Sequence, residues 1–483
     1  MKKKMFVFLI PIVLIIIYLL PRKENKELVS NTNNLVSFTV DGVESKTMPT
    51  KGSGYIANKI TCNNGSIITF DNDNYIIEVE KLESADVCKI DFSKEIGSNT
   101  VTISINDTSV IDSTSKTTTE GGKVVFYLTD EPDSITGGEY TLSDNKLIVN
   151  NIISNINLNI SVTKTLYKQI LADKTTRLTR SDFSTSLTTD NTNTLYTSTE
   201  EETTVYYFAG NATDNWVKFG GFYWRIIRTN ADGSVRLLYH GTSHDTTRAY
   251  LSTSSYNNEQ NDPMYVGYMY GTSGSLNNNR SNTNSSAIKS VIDNWYSLNL
   301  NNNYGKYIST TAVYCNDRSL ESGNTFSNSS NFNYAPMNRL VTNKAPSYDC
   351  TNNSDKFTVD SSTGNGKLTY PIALMTADEL AYAGGVALAN NQTTYYYYNS
   401  NKESSVSYLM WWTMTPYRWS SDGFAFIYFV TGSSFPGMFG SNVLGDSSRV
   451  VRPVLSLKAC TIYSSGDGSS SNPYIIEETS TGC

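Results

Sequence analysis

Short segments in which apolar and polar residues alternate restrict the fold of this 483-residue chain more than any other feature. The stretch INLNISV, from Ile156 to Val162, places an apolar side chain at every second position, as a strand with one buried face does. Similar segments, separated by Gly, Asn and Asp, fill most of the chain before it. The pattern predicts two small all-β, sandwich-like modules, at residues 33–97 and 98–166.

Helical and strand signals are mixed after these modules. In SSAIKSVIDNWYSLNL the residues Ile288, Ile292 and Trp295 share one helical face, which predicts an amphipathic helix capped by Ser285 or Ser286. A second helix is predicted in LMTADELAYAGG, where Thr and Glu three residues apart form a capping box.

A hairpin precedes these helices, and a long polar segment separates them. Two apolar-aromatic segments flank the turn Asn230–Gly233, which predicts a β-hairpin. An Asn- and Ser-rich excursion, residues 301–367, lies between the two helices. We therefore predict an α+β domain at residues 205–483, joined to the second β-module by a linker at residues 167–204.

The six cysteines fall into three couples that are local in sequence. None belongs to a CxxC motif or to a zinc-like cluster. Six cysteines allow fifteen pairings, and free thiols are a further alternative. We predict local pairing, because each couple then staples one module. The predicted disulfides are Cys62–Cys88, Cys315–Cys350 and Cys460–Cys483.

The first residues, MKKKMFVFLIPIVLIIIYLLPRK, combine an apolar run at residues 5–20 with basic residues on both sides. No small-residue cleavage motif follows the run, although a cleaved secretory signal stays an alternative. We predict a signal-anchor transmembrane helix within residues 1–27. The membrane is then a partner through residues 5–20, and the location is single-pass in the cell membrane with the bulk of the chain extracellular.

Charge and histidine content restrict the function. The net charge is −7 and no basic patch follows the N-terminus, which excludes nucleic acid as a partner. The chain has two histidines, His240 and His244, and with Asp245 they form a weak candidate for metal binding. Since no nucleophile motif accompanies them, we predict no catalytic residue, no metal, no cofactor and no enzymatic activity.

The stretch YLMWWTMTPYRWSSDGFAFIYFV, from Tyr408 to Val430, is exceptionally aromatic. Most of these rings are expected to be core, because large aromatic side chains dominate interiors. We assign Trp411, Phe424, Phe426 and Tyr428 to the core.

Several segments carry a resemblance to a known family. WVKFGGFYWRII, YPIALMTADELAYAGG, WWTMTP, RVVRPVLSL and SSGDGSSSNPYII occur in this order. Residues 205–483 resemble a bacterial surface-protein domain with a C-type-lectin-like fold, shared with formylglycine-generating enzymes. The segment 408–457 has no cysteine, which speaks against the chemistry of those enzymes.

The resemblance implies a ligand face formed by loops beside the last strands. Aromatic rings in these loops can stack on a glycan, and a host or cell-surface protein would suit the same surface. Together with the predicted signal-anchor, this predicts a membrane-anchored, extracellular protein that acts in adhesion. A cell-wall enzyme on the same fold and a structural surface protein without a small ligand are the alternatives. The expected binding residues in those loops are Tyr417, Arg418, Trp419, Phe435, Phe439 and Asn442.

Overall fold

Strands form most of the structure. The computed structural model describes residues 36–483 except 73, 84–85, 95–97, 188, 247, 389–409 and 432–437. The chain divides into two compact units, with the boundary between Val162 and Thr163. The longest helix among the described residues has only 13 residues. The predicted α+β fold class is therefore wrong, because strands far outnumber the few short helices.

The predicted membrane anchor, residues 1–27, lies outside the described residues. Across the part of the chain that the structure describes, no helix combines the length and apolarity needed to cross a membrane. On this finding we correct the predicted N-terminal transmembrane helix and the single-pass membrane location with an extracellular bulk.

Among its described residues, the first unit contains strands and one short 3-10 turn, Thr108–Val110. Its strands are β1 Val36–Val40, β2 Val43–Ser45, β3 Tyr55–Cys62, β4 Ile67–Asp71, β5 Ile76–Lys81, β6 Cys88–Lys94, β7 Ser98–Ile105, β8 Ser115–Thr119, β9 Gly122–Tyr127, β10 Ser134–Thr136, β11 Thr141–Ser143, β12 Lys146–Ile152 and β13 Ile156–Ser161.

Two separate cores lie within this unit. A four-stranded sheet, in the order β2-β1-β6-β3, and the hairpin β4-β5 enclose Ile90 and Phe92. A second pair of sheets, β10-β13-β7-β8 and β11-β12-β9, encloses Phe126 and Leu158. Along β13 the apolar residues face inward while the asparagines between them are exposed, so the two-residue period is confirmed.

The second unit contains most of the elements. Its strands are β14 Thr176–Thr179, β15 Asp190–Asn191, β16 Thr194–Glu200, β17 Thr203–Tyr207, β18 Asn211–Ala212, β19 Trp216–Phe219, β20 Phe222–Thr229, β21 Val235–Gly241, β22 Met269–Tyr270, β23 Asn284–Ser285, β24 Tyr314–Cys315, β25 Phe332–Asn333, β26 Lys356–Phe357, β27 Ile372–Leu374, β28 Val386–Ala387, β29 Trp411–Ser420, β30 Phe424–Val430, β31 Met438–Val443, β32 Pro453–Leu457, β33 Tyr463–Ser465 and β34 Tyr474–Ile476.

The helices of the second unit are short. They are α1 Leu166–Asp173, α2 Leu276–Asn279, α3 Ala287–Asn299, α4 Asn301–Tyr304, α5 Ala335–Met337 and α6 Ala377–Ala383. Further helical turns of 3-10 or π type span Pro263–Val266, Gly305–Tyr307, Asn338–Thr342 and Asn353–Asp355.

A ten-stranded sheet organises the second unit. Its main path is β14-β16-β17-β20-β19-β34-β33, and β21, β32 and β27 extend it from β20. The predicted hairpin is confirmed as β20 and β21, whose turn is closed by Asn230 N–H donating to the Ser234 carbonyl at 2.8 Å. A five-stranded sheet, in the order β25-β29-β30-β31-β28, carries the aromatic stretch.

Both predicted helices are confirmed, with their caps. Helix α3 begins after Ser286, whose hydroxyl accepts a backbone N–H, and it buries Ile288 and Ile292. Helix α6 has the predicted capping box, in which Thr376 and Glu379 each accept the other's backbone N–H.

The three sequence-local disulfides are present as predicted: Cys62–Cys88, Cys315–Cys350 and Cys460–Cys483. Residues 167–204, expected to be a linker, instead contribute α1 and the strands β14 to β16, and β16 pairs with β17. The strands in this segment are rich in Thr and other polar residues, so their composition resembles that of a linker.

Candidate functional site

The expected binding residues Tyr417, Arg418 and Trp419 lie on strand β29, which pairs with β30 through this region. Trp419 is only 2% exposed and Tyr417 is 9% exposed, so the expectation that both lie on a surface loop is wrong. The physical reason is that β29 continues through this region: it is buried on both faces as far as Tyr417, and then Arg418 points outward and Trp419 inward. Arg418 is exposed, and its guanidinium lies 4.7 Å from the centroid of the Phe426 ring.

The other three expected binding residues are Phe435, Phe439 and Asn442, and the structure does not bring them together into a site among the described residues. Phe435 lies outside the described residues. Phe439 and Asn442 lie on β31, where their backbones pair with Val430 and Ile427 of β30. Trp411 and Tyr428 are buried as predicted, whereas Phe424 is exposed and Phe426 is half-buried, so their assignment to the core is corrected.

A cleft of about 440 Å³ opens where the polar excursion folds against the hairpin turn of β20 and β21. One wall is the turn itself, at Asn230 and Asp232. The opposite wall comes from the excursion, including Thr311, Tyr348 and Thr363. We name this space the excursion cleft.

A long hydrogen bond crosses between the two walls of the excursion cleft, and shorter ones order each wall. Asp232 accepts from the Ser234 hydroxyl and, across the cleft, from the Thr311 hydroxyl at 3.5 Å. The Thr363 hydroxyl donates to the Thr311 carbonyl at 2.6 Å. Asn230 donates to the Ser234 hydroxyl at 2.7 Å, while its own side-chain oxygen is buried without a partner. The walls thus present hydroxyl, amide and carboxylate groups that are already oriented.

A network of buried ion pairs meets the excursion cleft at Glu200, its member that lines the cleft, and we call this network the floor. Arg228 donates to Glu200 at 2.8 Å and to Glu379 at 3.2 Å, and Arg236 donates to the same Glu379 oxygen at 2.7 Å. Burial opposes ionisation of Glu379, yet Arg236 and Arg228 outweigh it and hold its pKa below the usual value. Burial would lower the pKa of Arg228, but Glu200 and Glu379 raise it above its ordinary value. These groups therefore stay charged and paired.

The Cys315–Cys350 disulfide holds the excursion in place beside this floor. Cys350 lines the excursion cleft, and Cys315 lies on β24, directly opposite Lys356 of β26. Lys356 in turn forms an ion pair with Glu201 at the rim. One covalent link and one short strand pair therefore set the shape of the cleft.

Two sequence signals could have pointed to this cleft. An excursion of this length between helices is uncommon in a compact domain unless it has a function of its own. Its two cysteines were correctly paired from their spacing. No signal could have found the floor, since Glu200, Arg228 and Glu379 are far apart in sequence and meet only in the folded sheet.

One group of side chains in the described residues has the spacing of metal ligands: Cys62, Asp86 and Cys88. Both sulfurs are joined in the disulfide, so neither can act as a thiolate ligand. Asp86 accepts the backbone N–H groups of Asn63 and Asn64 at 2.8 and 2.7 Å. The group therefore fastens a loop of the first unit.

Comparison of the chain with family models, with curated proteins and with solved structures found no match in any of the three. Functional inference therefore depends on the geometry of the excursion cleft and its floor.

Proposed function

We propose that the second unit is a binding domain that holds a neutral, hydroxyl-rich ligand, of the glycan class, in the excursion cleft. The observation that carries the proposal is a cleft of about 440 Å³ walled by oriented hydroxyl, amide and carboxylate groups. This volume lies within the range of about 300–1,000 Å³ that is typical of small-molecule sites.

The charge pattern favours a neutral ligand. Glu200 is paired with Arg228, and Lys356 with Glu201, while the Asp232 carboxylate accepts from hydroxyl groups, so the lining disfavours an anionic ligand. A charged ligand would have to compete with these existing pairs. Sugar hydroxyl groups can instead donate to the carboxylate of Asp232 and exchange hydrogen bonds with the hydroxyl of Thr311.

Binding is favoured over catalysis by the state of the carboxyl groups. A general acid needs a raised pKa to hold its proton near neutral pH. Burial would raise the pKa of Glu200, but Arg228 beside it and the N–H of Ala231 bring it below the usual value. The pKa of Glu379 is lowered in the same way. The carboxyl groups of Glu200 and Glu379 are therefore ionised, and both already accept hydrogen bonds.

The role in adhesion and the C-type-lectin-like family, both expected from the sequence, stay predictions. The excursion cleft supports only the binding part of that expectation, and its lining does not include Arg418 or its neighbours on β29.

The test is a glycan array probed with the full chain and two variants. Thr363→Trp introduces a large side chain at an exposed wall position and is expected to abolish binding of any glycan that the wild type retains. Thr213→Trp is the matched control, because Thr213 is also an exposed threonine of the second unit but does not line this cleft.

Equal glycan binding by Thr363→Trp and wild type would contradict the proposal, as would a wild-type chain that retains no neutral glycan. Thermal melts of both variants establish that lost binding reflects a filled cleft, provided that their midpoints match the wild type.

A further inference from the structure

The two modules of the first unit, β1 to β6 and β7 to β13, repeat one strand arrangement. In the first module the sheet order is β2-β1-β6-β3, so the first strand lies between the second strand and the last one. In the second module the order β8-β7-β13-β10 is the same arrangement. In both modules the first strand is antiparallel to the second and parallel to the last. The first unit therefore contains two consecutive copies of one topology.

The first and last strands of each module are paired with each other over five residues. Residues 36–40 of β1 pair with residues 88–92 of β6, and residues 101–105 of β7 pair with residues 156–160 of β13. Both pairings are parallel. The chain therefore enters each module at one end of this pairing and leaves the module at the other end.

A side chain adds a further bond at the exit end of each pairing. Asp41 directly follows β1, and its Oδ1 accepts the backbone N–H of Lys94, the last residue of β6, at 3.2 Å. Asn106 directly follows β7, and its Oδ1 accepts the backbone N–H of Val162 at 2.9 Å. Asn106 also donates from Nδ2 to the Val162 carbonyl at 2.8 Å. In each module the N–H donor lies two residues beyond the parallel pairing, so this bond occupies the same register in both copies.

The parallel direction of the terminal strands decides how tension along the chain acts on these bonds. Tension draws the start of the first strand and the end of the last strand in opposite directions, so the two neighbours are forced to slide past each other. Hydrogen bonds of the ladder run between the strands, and sliding strains all of them together. Drawing two strands apart from one end instead breaks the bonds one at a time. Since one hydrogen bond contributes only about 1 kcal/mol, resistance to force depends on loading many bonds together.

We infer that the first unit has a mechanical function: it bears tension along the chain through the parallel pairings of β1 with β6 and of β7 with β13. In the first module the Cys62–Cys88 disulfide adds a covalent link, because Cys88 begins β6 and Cys62 ends β3 on its other side. In the second module Asn106 closes the pairing at its exit end. This function belongs to the first unit and does not depend on the glycan binding proposed for the second.

Single-molecule force spectroscopy on the full chain tests the function by pulling on the second module in two directions. Ser98→Cys with Ser161→Cys attaches DNA handles at the start of β7 and the end of β13, which loads their pairing in shear. Ser98→Cys with Ser154→Cys attaches both handles at the same end, because Ser154 precedes β13, and peels the two strands apart. All three serines are exposed. The six native cysteines are paired, so the introduced thiols alone react with the handles.

The two directions differ in force while the folded module is the same. At one loading rate, the shear pair is expected to unfold at a force at least about twofold higher than the peeling pair, because the ladder bonds fail together. Release of about 200 Å of chain identifies the event as unfolding of this module in both directions. Equal unfolding forces in the two directions would overturn the mechanical function.

Asn106→Ala distinguishes bearing force from general stabilisation of the fold. Asn106 lies at the end of the pairing that is distant from Ser98 and Ser154, so it shares the load in shear but is reached last during peeling. Asn106→Ala is therefore expected to lower the unfolding force in shear and to leave the force in peeling unchanged. An equal fall in both directions would show that Asn106 only stabilises the fold, and would overturn its part in bearing tension.

Discussion

Replacing Glu379 by Gln tests whether the buried ion pairs hold the second unit together. Glu379 is 1% exposed and accepts from both Arg228 and Arg236. Gln keeps the shape of the side chain, but Glu379 uses Oε2 for the Thr376 N–H and Oε1 for the two arginines, and Gln has one acceptor oxygen. The substitution therefore removes the charge and one acceptor while it leaves the volume of the side chain nearly intact.

The expected loss follows from what each arginine retains. Arg228 keeps its pair with Glu200 at 2.8 Å, whereas Arg236 loses the carboxylate that it contacts at 2.7 Å while it stays buried. Removing one partner of a buried pair costs about 3–5 kcal/mol, and because Gln keeps one of the two acceptor oxygens, we expect Glu379→Gln to cost about 3 kcal/mol. Glu201→Gln is the control, because Glu201 is 61% exposed in its pair with Lys356, and such pairs contribute about 0–1 kcal/mol.

Urea unfolding followed by tryptophan fluorescence measures the effect in the correct unit. All six tryptophans follow residue 162 and therefore report the second unit alone. With a denaturant slope of about 3 kcal/mol/M, Glu379→Gln should lower the midpoint by about 1 M. A shift no larger than that of Glu201→Gln would refute the reasoning.

Acidification provides a second check of the same pair. Because the pKa of Glu379 is lowered in the folded state, its contribution to stability is complete above the unfolded-state pKa of about 4.3 and is lost as the pH falls through the folded pKa. The difference in stability between wild type and Glu379→Gln should therefore shrink below about pH 4. A difference that stays constant on acidification would show that charge is not its cause.

Two further predictions concern the aromatic strand and the excursion. Because Trp419 is buried, Trp419→Ala should destabilise the second unit by about 3–5 kcal/mol in the same urea assay. Arg418→Ala, at an exposed position, should change the stability by no more than about 0.5 kcal/mol. Equal losses would contradict the opposite orientations of Arg418 and Trp419 on β29. Replacing Cys315 and Cys350 together by Ser opens a loop with a sequence separation of 35, and should cost about 3–4 kcal/mol and weaken glycan binding in the excursion cleft. Unchanged array binding by this double variant would show that the disulfide does not shape the cleft.

Local signals predicted local structure well. The cap at Ser286, the capping box at Thr376 and the turn at Asn230 each depend on residues within a few positions, and all three are present. The disulfides were predicted from a related regularity, since each local couple staples one module.

The wrong predictions concern contacts between residues that are distant in sequence. Polar residues around Trp419 suggested a loop, but pairing with β30 continues the strand and buries the ring. The floor of the excursion cleft joins Arg228 to Glu379 across 151 positions, and no local pattern encodes such a contact. The α+β expectation gave two short helices too much weight against many strands whose polar composition resembles that of loops.

The pairing of β19 with β34 has a consequence for how the chain is made. Val217 is opposite Tyr474, so these partners are more than half the chain apart. During synthesis the strands of the first unit can pair as soon as residues 36–162 have left the ribosome, whereas β19 waits with one edge open until residues 474–476 appear. Contacts so distant in sequence form slowly, and an open strand edge is a template for pairing with another chain. A ribosome that stalls before residue 474 would therefore release a second unit prone to aggregate through β19.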